Sequence, residues 1–336
     1  MKAIGVYQGT DIKSQEFTTA DVAQPVPTNL DVLVKINAVS VNPVDTKVRQ
    51  TTKQRSLKVL GYDAVGTVEA LGEQVTDFTV GDRVFYAGSN QRAGSNQEYQ
   101  LVDSRIIAKA PTKLVDEDAA AMPLTTLTAA ELLFEKFNNP FEKDANEGKT
   151  VLIINGAGGV GSSAIQLAKW SGFRVIATAS RTETVEWVEK MGADQVINHH
   201  HDLIKQLPDD LNQIDDIMIL NRTESYFATA AKLVAPLGHV GSIVESSQPL
   251  PLGLLKDKAA SFDWEFMFTK PKYGVKEASQ GQLLTKIAAL LDSGDIISTR
   301  TKTLSNINAN NLKKGHQIVE SGKMLGKLVI DGPFTD

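Results

Sequence analysis

A glycine-rich turn lies near the middle of the chain, within TVLIINGAGGVGSSAIQLAK (150–169). Gly156, Gly158 and Gly161 have the spacing G-x-G-x-x-G and stand between an apolar strand-like run and a helix-like run. Such glycines permit a tight turn and a close approach of the backbone to a pyrophosphate, and the following helix start offers free N–H groups to the anion. A turn that binds no ligand could have the same glycine spacing, but its position between a strand and a helix favours a dinucleotide site. The predicted cofactor contacts in the turn are Gly156, Gly158, Gly159, Val160 and Gly161.

The end of the next predicted strand indicates which dinucleotide binds. That strand ends at Ser180 and Arg181, and the first carboxylate after it is Glu183. A carboxylate at the strand end would hold the ribose hydroxyls of NADH and repel a 2′-phosphate, whereas a hydroxyl and a guanidinium would bind that phosphate. NADPH is therefore favoured over NADH. Ser180 and Thr182 could instead cap the next helix, with Arg181 solvated.

Three consecutive histidines, His199 to His201, raise the question of a metal site. Adjacent residues rarely point at one ion from a rigid loop, so an exposed polar loop is favoured and no metal is predicted. His199 is retained as a predicted contact to the adenosine end of the cofactor. The chain contains no cysteine, which excludes disulfides, thiolate nucleophiles and every zinc site built on cysteine.

A second polar group ends the apolar run VLVKINAVSVNPVDTK (32–47), which stops at Asn42, Pro43, Val44 and Asp45. Three interpretations are open: a turn that uses the backbone geometry of Asn and Pro, a metal site, or the polar edge of a substrate pocket. Proline fixes its own φ angle and removes an N–H group at the end of the strand. Asp45 could order the following loop by accepting backbone N–H groups.

The elements that carry these groups fall into three parts. Residues 1 to about 124 show short strands separated by Gly, Asp and Asn, which predicts a mostly β domain that could form a partly closed barrel. From about 125 to 250, buried-strand runs alternate with helix-like stretches, which predicts βαβ units and a parallel sheet. The strand runs are TVLIIN (150–155), FRVIATAS (173–180), DQVIN (194–198) and DDIMILN (215–221). The last sixty or so residues contain two amphipathic helices and the strand-like GKLVI.

Length and composition limit the class of protein. A chain of 336 residues is long enough for roughly two domains. With 42% apolar and 22% charged residues and a net charge of −5, nothing indicates a nucleic-acid partner. The first residues are too short an apolar stretch for a signal peptide, and no run approaches the length of a membrane span, so a cytoplasmic protein is predicted.

The whole chain resembles the medium-chain dehydrogenase/reductase superfamily. Within it, the chain is most similar to the zinc-independent quinone oxidoreductase branch, and WEFMFTKPKYG (264–274) resembles the zinc-type alcohol dehydrogenase-like subgroup. The segments that carry the resemblance are SVNPVDTKVR (40–49), LGYDAVGTVEALGEQV (60–75), VGDRVFYAG (80–88), GSNQEYQLVD (94–103), MPLTTLTAAELL (122–133), GAGGVGSSAIQLAK (156–169) and ESGKMLGKLVI (320–330).

The resemblance implies an α/β architecture with two domains. A GroES-like β domain would be formed by residues 1–124 and 271–336, and a Rossmann doubly wound parallel-sheet domain, residues 125–270, would be inserted between them. The active site would lie in the cleft. Rossmann domains of this family commonly pair through their sixth strand, which implies a homodimer interface near GHVGSIVE (238–245) and the residues up to about Phe268.

The resemblance also bears on the metal. Zinc-dependent relatives have a Cys where this chain has Asn42, a His where it has Tyr62, and a Cys or Asp near Leu124. Asn, Tyr and Leu cannot make a zinc site, so the implied catalysis is free of metal. The short loop from Gly88 to Asn96 replaces the structural zinc lobe.

The implied reaction is hydride transfer from NADPH to a quinone or an α,β-unsaturated carbonyl, because such acceptors need only positioning and one or two hydrogen bonds. Asn42 and Tyr62 are the predicted catalytic donors, although each could be a buried structural group. Thr128 is predicted at the nicotinamide end unless it caps a helix, and Lys327 at the phosphates or ribose unless it is merely exposed. Two alternatives are an NADP-dependent aldehyde or ketone reductase, and a non-catalytic NADPH-binding sensor or scaffold protein.

Overall fold

The computed structural model describes residues 1–7, 17–53, 55–208, 211 and 213–336. Contacts divide the chain into two compact units, Met1–Leu127 with Phe268–Asp336, and Thr128–Met267. The predicted domain boundaries each lie three residues from these divisions. In the described part of the chain, no helix combines the length and the apolar character needed to cross a membrane.

The strands, in chain order, are β1 (Lys2–Val6), β2 (Thr18–Asp21), β3 (Asp31–Val41), β4 (Lys58–Val59), β5 (Asp63–Leu71), β6 (Arg83–Tyr86), β7 (Tyr99–Asp103), β8 (Ile107–Lys109), β9 (Thr150–Ile154), β10 (Arg174–Thr178), β11 (Gln195–Ile197), β12 (Ile214–Ile219), β13 (Val234–Ser242), β14 (Ser261–Trp264), β15 (Arg300–Ile307) and β16 (Lys327–Phe334).

The α-helices are α1 (Pro43–Thr51), α2 (Asp116–Ala120), α3 (Pro123–Ala130), α4 (Gly159–Trp170), α5 (Thr182–Lys190), α6 (Thr223–Leu233), α7 (Thr269–Tyr273), α8 (Ala278–Ser293) and α9 (Ala309–Glu320). A π-helical turn, Glu131–Lys136, continues α3. Short 3₁₀ turns occupy Ser104–Ile106, Ile204–Gln206 and Leu252–Lys258.

The second unit contains a parallel six-stranded sheet in the order β11-β10-β9-β12-β13-β14. The central strand β9, TVLII, is buried along its whole length, as a strand covered on both faces must be. The strand order reverses between β9 and β12, so the sheet is doubly wound and its switch point lies between these two strands. This arrangement confirms the predicted α/β class and parallel sheet.

The first unit is built mostly on antiparallel strands, with β15 and β16 as a parallel pair. Its larger sheet has the order β15-β16-β3-β5-β6-β8, with β7 also paired to β3, and a small sheet has the order β2-β1-β4. The long strand β3 lies at the centre, flanked by β5 on one side and β16 on the other. Since β16 comes from the end of the chain, the C-terminal residues complete the sheet that the N-terminal residues begin.

Candidate active site

The glycine turn joins β9 to α4 in the second unit. A Cβ atom on Gly161 would lie 2.4 Å from the Asn155 carbonyl oxygen, so the start of α4 packs directly against the turn. A Cβ on Gly156 would lie 2.9 Å from the Ala177 Cβ, which makes Gly156 the residue that lets the turn approach β10. The three atoms nearest to a Cβ on Gly158 all belong to Asn155, the closest being its side-chain Nδ2 at 3.1 Å. Packing therefore requires Gly156 and Gly161, whereas the closest contact at Gly158 is the end of a side chain.

Gly159 and Val160 form the first turn of α4, after Gly158 at the N-cap. The backbone N–H groups of a first helical turn have no acceptor within the helix and carry a partial positive charge. They lie beside the switch point, where dinucleotides bind in doubly wound sheets. The geometry of the turn thus fits the pyrophosphate of a dinucleotide.

Ser180 and Arg181 follow β10, at the same edge of the sheet. Arg181 is the N-cap residue of α5, and its backbone N–H donates to the Thr184 hydroxyl at 3.0 Å. The Arg181 guanidinium pairs with the exposed Glu183 carboxylate at 3.2 Å. Helix capping here is thus performed by Thr184, and the Ser180 hydroxyl makes no hydrogen bond to the described residues.

His199 follows β11 at this edge and is half-buried. Its Nδ1 atom is buried and has no hydrogen-bond partner among the described residues. Burial, followed by the charges of His200 and Arg222, lowers the pKa of His199. The ring therefore favours its neutral form near pH 7, in which one nitrogen donates and the other accepts.

Two residues that the sequence did not single out flank the switch point. Asn155 follows β9 with φ 73°, and Arg222 follows β12 with φ 48°, which are left-handed conformations that side chains rarely adopt. Arg222 is exposed and makes no ion pair or side-chain hydrogen bond with the described residues. Because strained backbone clusters at functional sites, both positions are candidates for ligand contacts. Arg222 is the first charged residue after β12, but only the sheet order shows that this strand borders the switch point.

Thr128 lies inside α3, which begins at Pro123, so Thr128 does not start or cap that helix. Its side chain is buried, close before the π-helical turn. The predicted contact of Thr128 with the nicotinamide end stays a prediction.

In the first unit, a buried polar cluster forms where β3, β5 and β16 lie side by side. Asn42 follows β3, Tyr62 and Asp63 stand at the start of β5, and Lys327 opens β16. The four side chains are almost completely buried. The sheet register pairs Ser40 with Asp63, which explains why residues distant in sequence meet here.

Asp63 and Lys327 form a buried ion pair within this cluster. The Lys327 Nζ lies 2.9 Å from Asp63 Oδ2 and donates also to Asn42 Oδ1 at 2.5 Å. Asp63 Oδ2 accepts from Asn42 Nδ2 at 2.7 Å, and Asp63 Oδ1 accepts from the Leu124 backbone N–H at 2.7 Å. Asp63 thus connects three elements. The Lys327 ammonium, predicted to contact the cofactor, is here surrounded by acceptors of its own unit.

Asp45 shapes the turn that follows Asn42. Pro43 is the first residue of α1, and the Asp45 carboxylate accepts the backbone N–H of Asn42 at 2.8 Å and that of Gly61 at 3.0 Å. Burial raises the pKa of the Asp45 carboxyl to about 7, against the opposing effect of these hydrogen bonds and of Lys327. The segment 42–45 is therefore a helix start tied to the strand that carries Tyr62, which supports the predicted role of Asp45 in ordering a loop.

Tyr62 differs from the other three members of this cluster, because its polar atom makes no hydrogen bond to the described residues. Its ring packs edge-on against Phe268 at 4.8 Å, and its hydroxyl is buried with no partner among the described residues. Burial, followed by the charge of Asp45, raises the pKa of the Tyr62 phenol. The hydroxyl therefore stays protonated and can donate a hydrogen bond to a ligand oxygen.

The cluster does not fit a zinc ion. At the positions where zinc-dependent relatives have ligands, the structure places the Asn42 amide, the buried Tyr62 phenol and the Leu124 side chain. The Asn42 oxygen faces the Lys327 ammonium, which would repel a second cation. Within the described ranges, no three His, Asp or Glu residues are grouped so that they could hold a metal ion.

Comparisons with known proteins agree with this architecture. Residues 28–112 match the model of the alcohol dehydrogenase GroES-like domain, and residues 159–260 match that of the zinc-binding dehydrogenase family. A zinc-type alcohol dehydrogenase-like protein of Staphylococcus aureus (strain MSSA476) is 45% identical over 98% of this chain and 100% of its own length.

Two further proteins are similar. The crystal structure of a putative zinc-dependent alcohol dehydrogenase protein from Rhizobium etli CFN 42 has a TM-score of 0.93 and 43% identity, covering 99% of this chain and 98% of that one. The NADPH-dependent alkenal/one oxidoreductase of Arabidopsis thaliana chloroplasts is 35% identical over 70% of this chain and 61% of its own length. These matches confirm the predicted superfamily and its combination of a GroES-like domain with a Rossmann domain. The chain therefore belongs to the medium-chain dehydrogenase/reductase superfamily, with zinc-type alcohol dehydrogenase-like proteins among its relatives, and is an NAD(P)-binding oxidoreductase.

Proposed function

We propose that this oxidoreductase uses NADPH to reduce quinones or α,β-unsaturated carbonyls without a metal ion. The observation that carries the proposal is the buried cluster of Asn42, Tyr62, Asp63 and Lys327, which contains hydrogen-bond donors and an ammonium but no thiolate or imidazole. A zinc ion would be needed to polarise an unactivated ketone or alcohol. Acceptors that are already electron-poor need only positioning and hydrogen bonds to the oxygen that gains charge.

The Tyr62 hydroxyl is the proposed donor to the substrate oxygen, because it is buried, protonated and without a partner among the described residues. Bound NADPH supplies the hydride. As negative charge develops on the substrate oxygen, a donor already in place stabilises it without reorganisation. The raised pKa of Tyr62 makes it a weak acid, so the hydroxyl stabilises the charge while water supplies the proton.

The preference for NADPH is proposed to come from the carboxyl edge of the parallel sheet. Ser180 and Arg181 follow β10, His199 follows β11, and Arg222 follows β12, and none of the four is a carboxylate. Two guanidinium groups suit the doubly charged 2′-phosphate. The Arabidopsis relative is named as NADPH-dependent, which is consistent with this choice. The proposed cofactor contacts are Thr128, Gly156, Gly158, Gly159, Val160, Gly161, Ser180, Arg181, His199 and Arg222.

We further propose a cytoplasmic homodimer. The location rests on the sequence alone. For the dimer, strand β14 forms one edge of the six-stranded sheet and can pair with a second copy. Trp264 and Phe266 near this edge are 46% and 45% exposed, as apolar residues of an interface would be in a single chain. Light scattering in solution would test this state, and a monomer at micromolar concentration would contradict it.

Steady-state oxidation of NADPH by the purified protein tests the function. We expect turnover with 1,2-naphthoquinone or but-3-en-2-one, little turnover with simple aldehydes, and no loss of activity after treatment with a chelator. Preferential turnover of simple aldehydes would favour the aldehyde reductase instead. Tight NADPH binding with no turnover of any acceptor would identify a non-catalytic sensor or scaffold, and inactivation by the chelator would contradict a metal-free reaction.

A further inference from the structure

Lys327 is a buried cation whose partners are all known. Its side chain is 3% exposed, and the Asp63 side chain is fully buried. The ammonium donates to Asp63 Oδ2 at 2.9 Å, to Asn42 Oδ1 at 2.5 Å and towards the Val41 carbonyl oxygen at 3.4 Å. An ammonium has three N–H donors: two make short hydrogen bonds here, and the third makes only the long contact to the Val41 carbonyl oxygen. Lys327 is therefore bound chiefly by Asp63 and Asn42 of its own unit.

The ion pair determines which way the Asn42 amide points. The amide oxygen faces the ammonium, and the amide nitrogen donates to the Asp63 carboxylate at 2.7 Å. A reversed amide would place its NH₂ group against a cation and its oxygen against an anion. In a buried site, where charges are weakly screened, both contacts would be repulsive. The charges of Lys327 and Asp63 therefore allow a single orientation of Asn42.

That orientation leaves one amide hydrogen only weakly used. Of the two hydrogens on Asn42 Nδ2, one is bound by Asp63, while the other points towards the Ser40 carbonyl oxygen at 3.5 Å. A separation of 3.5 Å is the long limit of a hydrogen bond. The second hydrogen can therefore be given to a ligand oxygen at little cost.

We propose that Lys327 and Asp63 are positioning residues that hold the Asn42 amide as a hydrogen-bond donor to the substrate oxygen. The proposal rests on the reductase function above and adds a second donor beside Tyr62. It also assigns Lys327 to the substrate end of the reaction in place of the predicted cofactor contact. Apolar side chains in place of Lys327 and Asp63 would let the Asn42 amide rotate. A cation on one side and an anion on the other hold it in one orientation.

Four variants test this. The double variant Asp63→Asn/Lys327→Met removes both charges together, so no unpaired charge stays buried. The amide introduced at position 63 can still accept the Leu124 N–H, but its NH₂ group draws the Asn42 oxygen towards it and reverses the Asn42 amide. Asn42→Leu removes the donor itself, and the triple variant combines all three changes. Lys302→Met is the matched control, because Lys302 is exposed on the neighbouring strand β15.

The measurements are kcat with 1,2-naphthoquinone and the Kd of NADPH by fluorescence. We expect kcat to fall about a hundredfold in the double variant and in Asn42→Leu, the usual effect of losing one donor to a developing oxyanion. The triple variant should be no slower than Asn42→Leu, because the ion pair acts through Asn42. The Kd of NADPH should be unchanged in all of them, and Lys302→Met should match the wild type.

Three results would overturn the proposal. The first is a double variant with wild-type kcat. The second is a triple variant whose loss of kcat is the product of the losses in the double variant and in Asn42→Leu. The third is a double variant that binds NADPH more weakly with kcat unchanged, which would make Lys327 a cofactor ligand. If the double variant does not fold, Asp63→Asn/Lys327→Leu, which also leaves no unpaired charge buried, should lower kcat at an unchanged Kd of NADPH, and an unchanged kcat there would count equally against the proposal.

Failure of the proposed function is recognised separately, because wild-type protein would then oxidise no NADPH with 1,2-naphthoquinone or but-3-en-2-one. Calorimetric binding of 1,2-naphthoquinone to the NADP⁺ complex needs no turnover and then tests the inference alone. We expect the double variant, Asn42→Leu and the triple variant each to bind the quinone about tenfold more weakly, the worth of one hydrogen bond to a ligand. Equal quinone binding by wild type and Asn42→Leu would overturn it.

Discussion

Replacing Tyr62 with Phe should make the protein more stable and less active at the same time. The change deletes one oxygen atom and leaves the ring, with its edge-on contact to Phe268 at 4.8 Å, in place. In the described structure the hydroxyl is buried and bonds to nothing, so its removal breaks no hydrogen bond. If the same hydroxyl donates to the substrate oxygen, its removal also takes away part of the stabilisation of the transition state.

The two effects can be given magnitudes. A hydroxyl buried without a partner costs about 1–3 kcal/mol, so Tyr62→Phe should raise the free energy of unfolding by about 1 kcal/mol and Tm by about 2–4 °C. Loss of one donor to a developing oxyanion lowers kcat by about a hundredfold. A residue with a purely structural role would not show opposite signs in stability and activity.

Tyr86 provides a matched control. Its hydroxyl is equally buried in the same unit but donates to the Gln100 side-chain oxygen at 2.9 Å. Tyr86→Phe should therefore lower the free energy of unfolding by about 1 kcal/mol, because a bond is lost and the amide oxygen is left unpaired. Its kcat should match the wild type. Both variants are compared by thermal denaturation and by steady-state NADPH oxidation with 1,2-naphthoquinone.

The result that would refute the reasoning is a Tyr62→Phe protein that is less stable than the wild type and turns over at the wild-type rate. That outcome would mean that the hydroxyl has a structural partner and no contact with the substrate. Greater stability with unchanged kcat would remove the catalytic assignment while leaving the description of the buried hydroxyl intact.

Three further predictions concern the cofactor and the pH dependence of stability. Arg181→Ala and Arg222→Ala should each weaken binding of NADPH about tenfold or more and binding of NADH little, since each removes a charge proposed to bind the 2′-phosphate. Fluorescence titrations that show equal losses for both cofactors would contradict the assignment. Gly161→Ala should not give a folded Rossmann unit, because its Cβ would lie 2.4 Å from a carbonyl oxygen. Gly158→Ala should fold and bind NADPH more weakly. Circular dichroism measures the folding and fluorescence titration the binding, and a stable Gly161→Ala protein would show the packing argument to be wrong. Burial, followed by the charge of Arg49, lowers the pKa of His316 to about 3, so the unfolded chain binds a proton at this residue below its ordinary pKa of 6.5 and the folded chain does not. The free energy of unfolding should therefore fall as the pH drops from about 6.5 towards 3, by about 2 kcal/mol from this residue between pH 6.5 and 5. In urea denaturation at several pH values, His316→Leu should lose that part of the pH dependence. An unchanged pH dependence would mean that His316 is protonated in the folded protein.

Much of the fold could be predicted from local pattern. The runs TVLIIN, FRVIATAS, DQVIN and DDIMILN became β9 to β12 with ends within two residues, because fully buried parallel strands read as continuous apolar runs. The glycine spacing located the turn because Gly156 and Gly161 are required by contacts to residues close by in sequence or on the adjacent strand.

The polar cluster was less accessible to sequence reasoning. Asn42 and Tyr62 were identified through a resemblance, but their partners were not. Lys327 was predicted at the cofactor, whereas the structure joins its ammonium to the Asp63 carboxylate, a pair that no local pattern indicates. Arg222 was not noticed at all, because nothing in its neighbours marks the strand before it as one side of the switch point.

The sequence by itself determined the two kinds of sheet, the dinucleotide turn and the absence of cysteine, since each depends on residue type and on short-range spacing. Only the tertiary structure decided which groups surround Asn42, Tyr62 and Lys327. Lys327 is separated from Asn42 by most of the chain and meets it because β16 pairs with β3. Hydrogen-bond capacity is a property of the partners present: Lys327 and Asp63 satisfy each other and orient Asn42, and the Tyr62 hydroxyl is left without a partner in the described structure. No one-dimensional pattern records which buried donor remains free for a substrate.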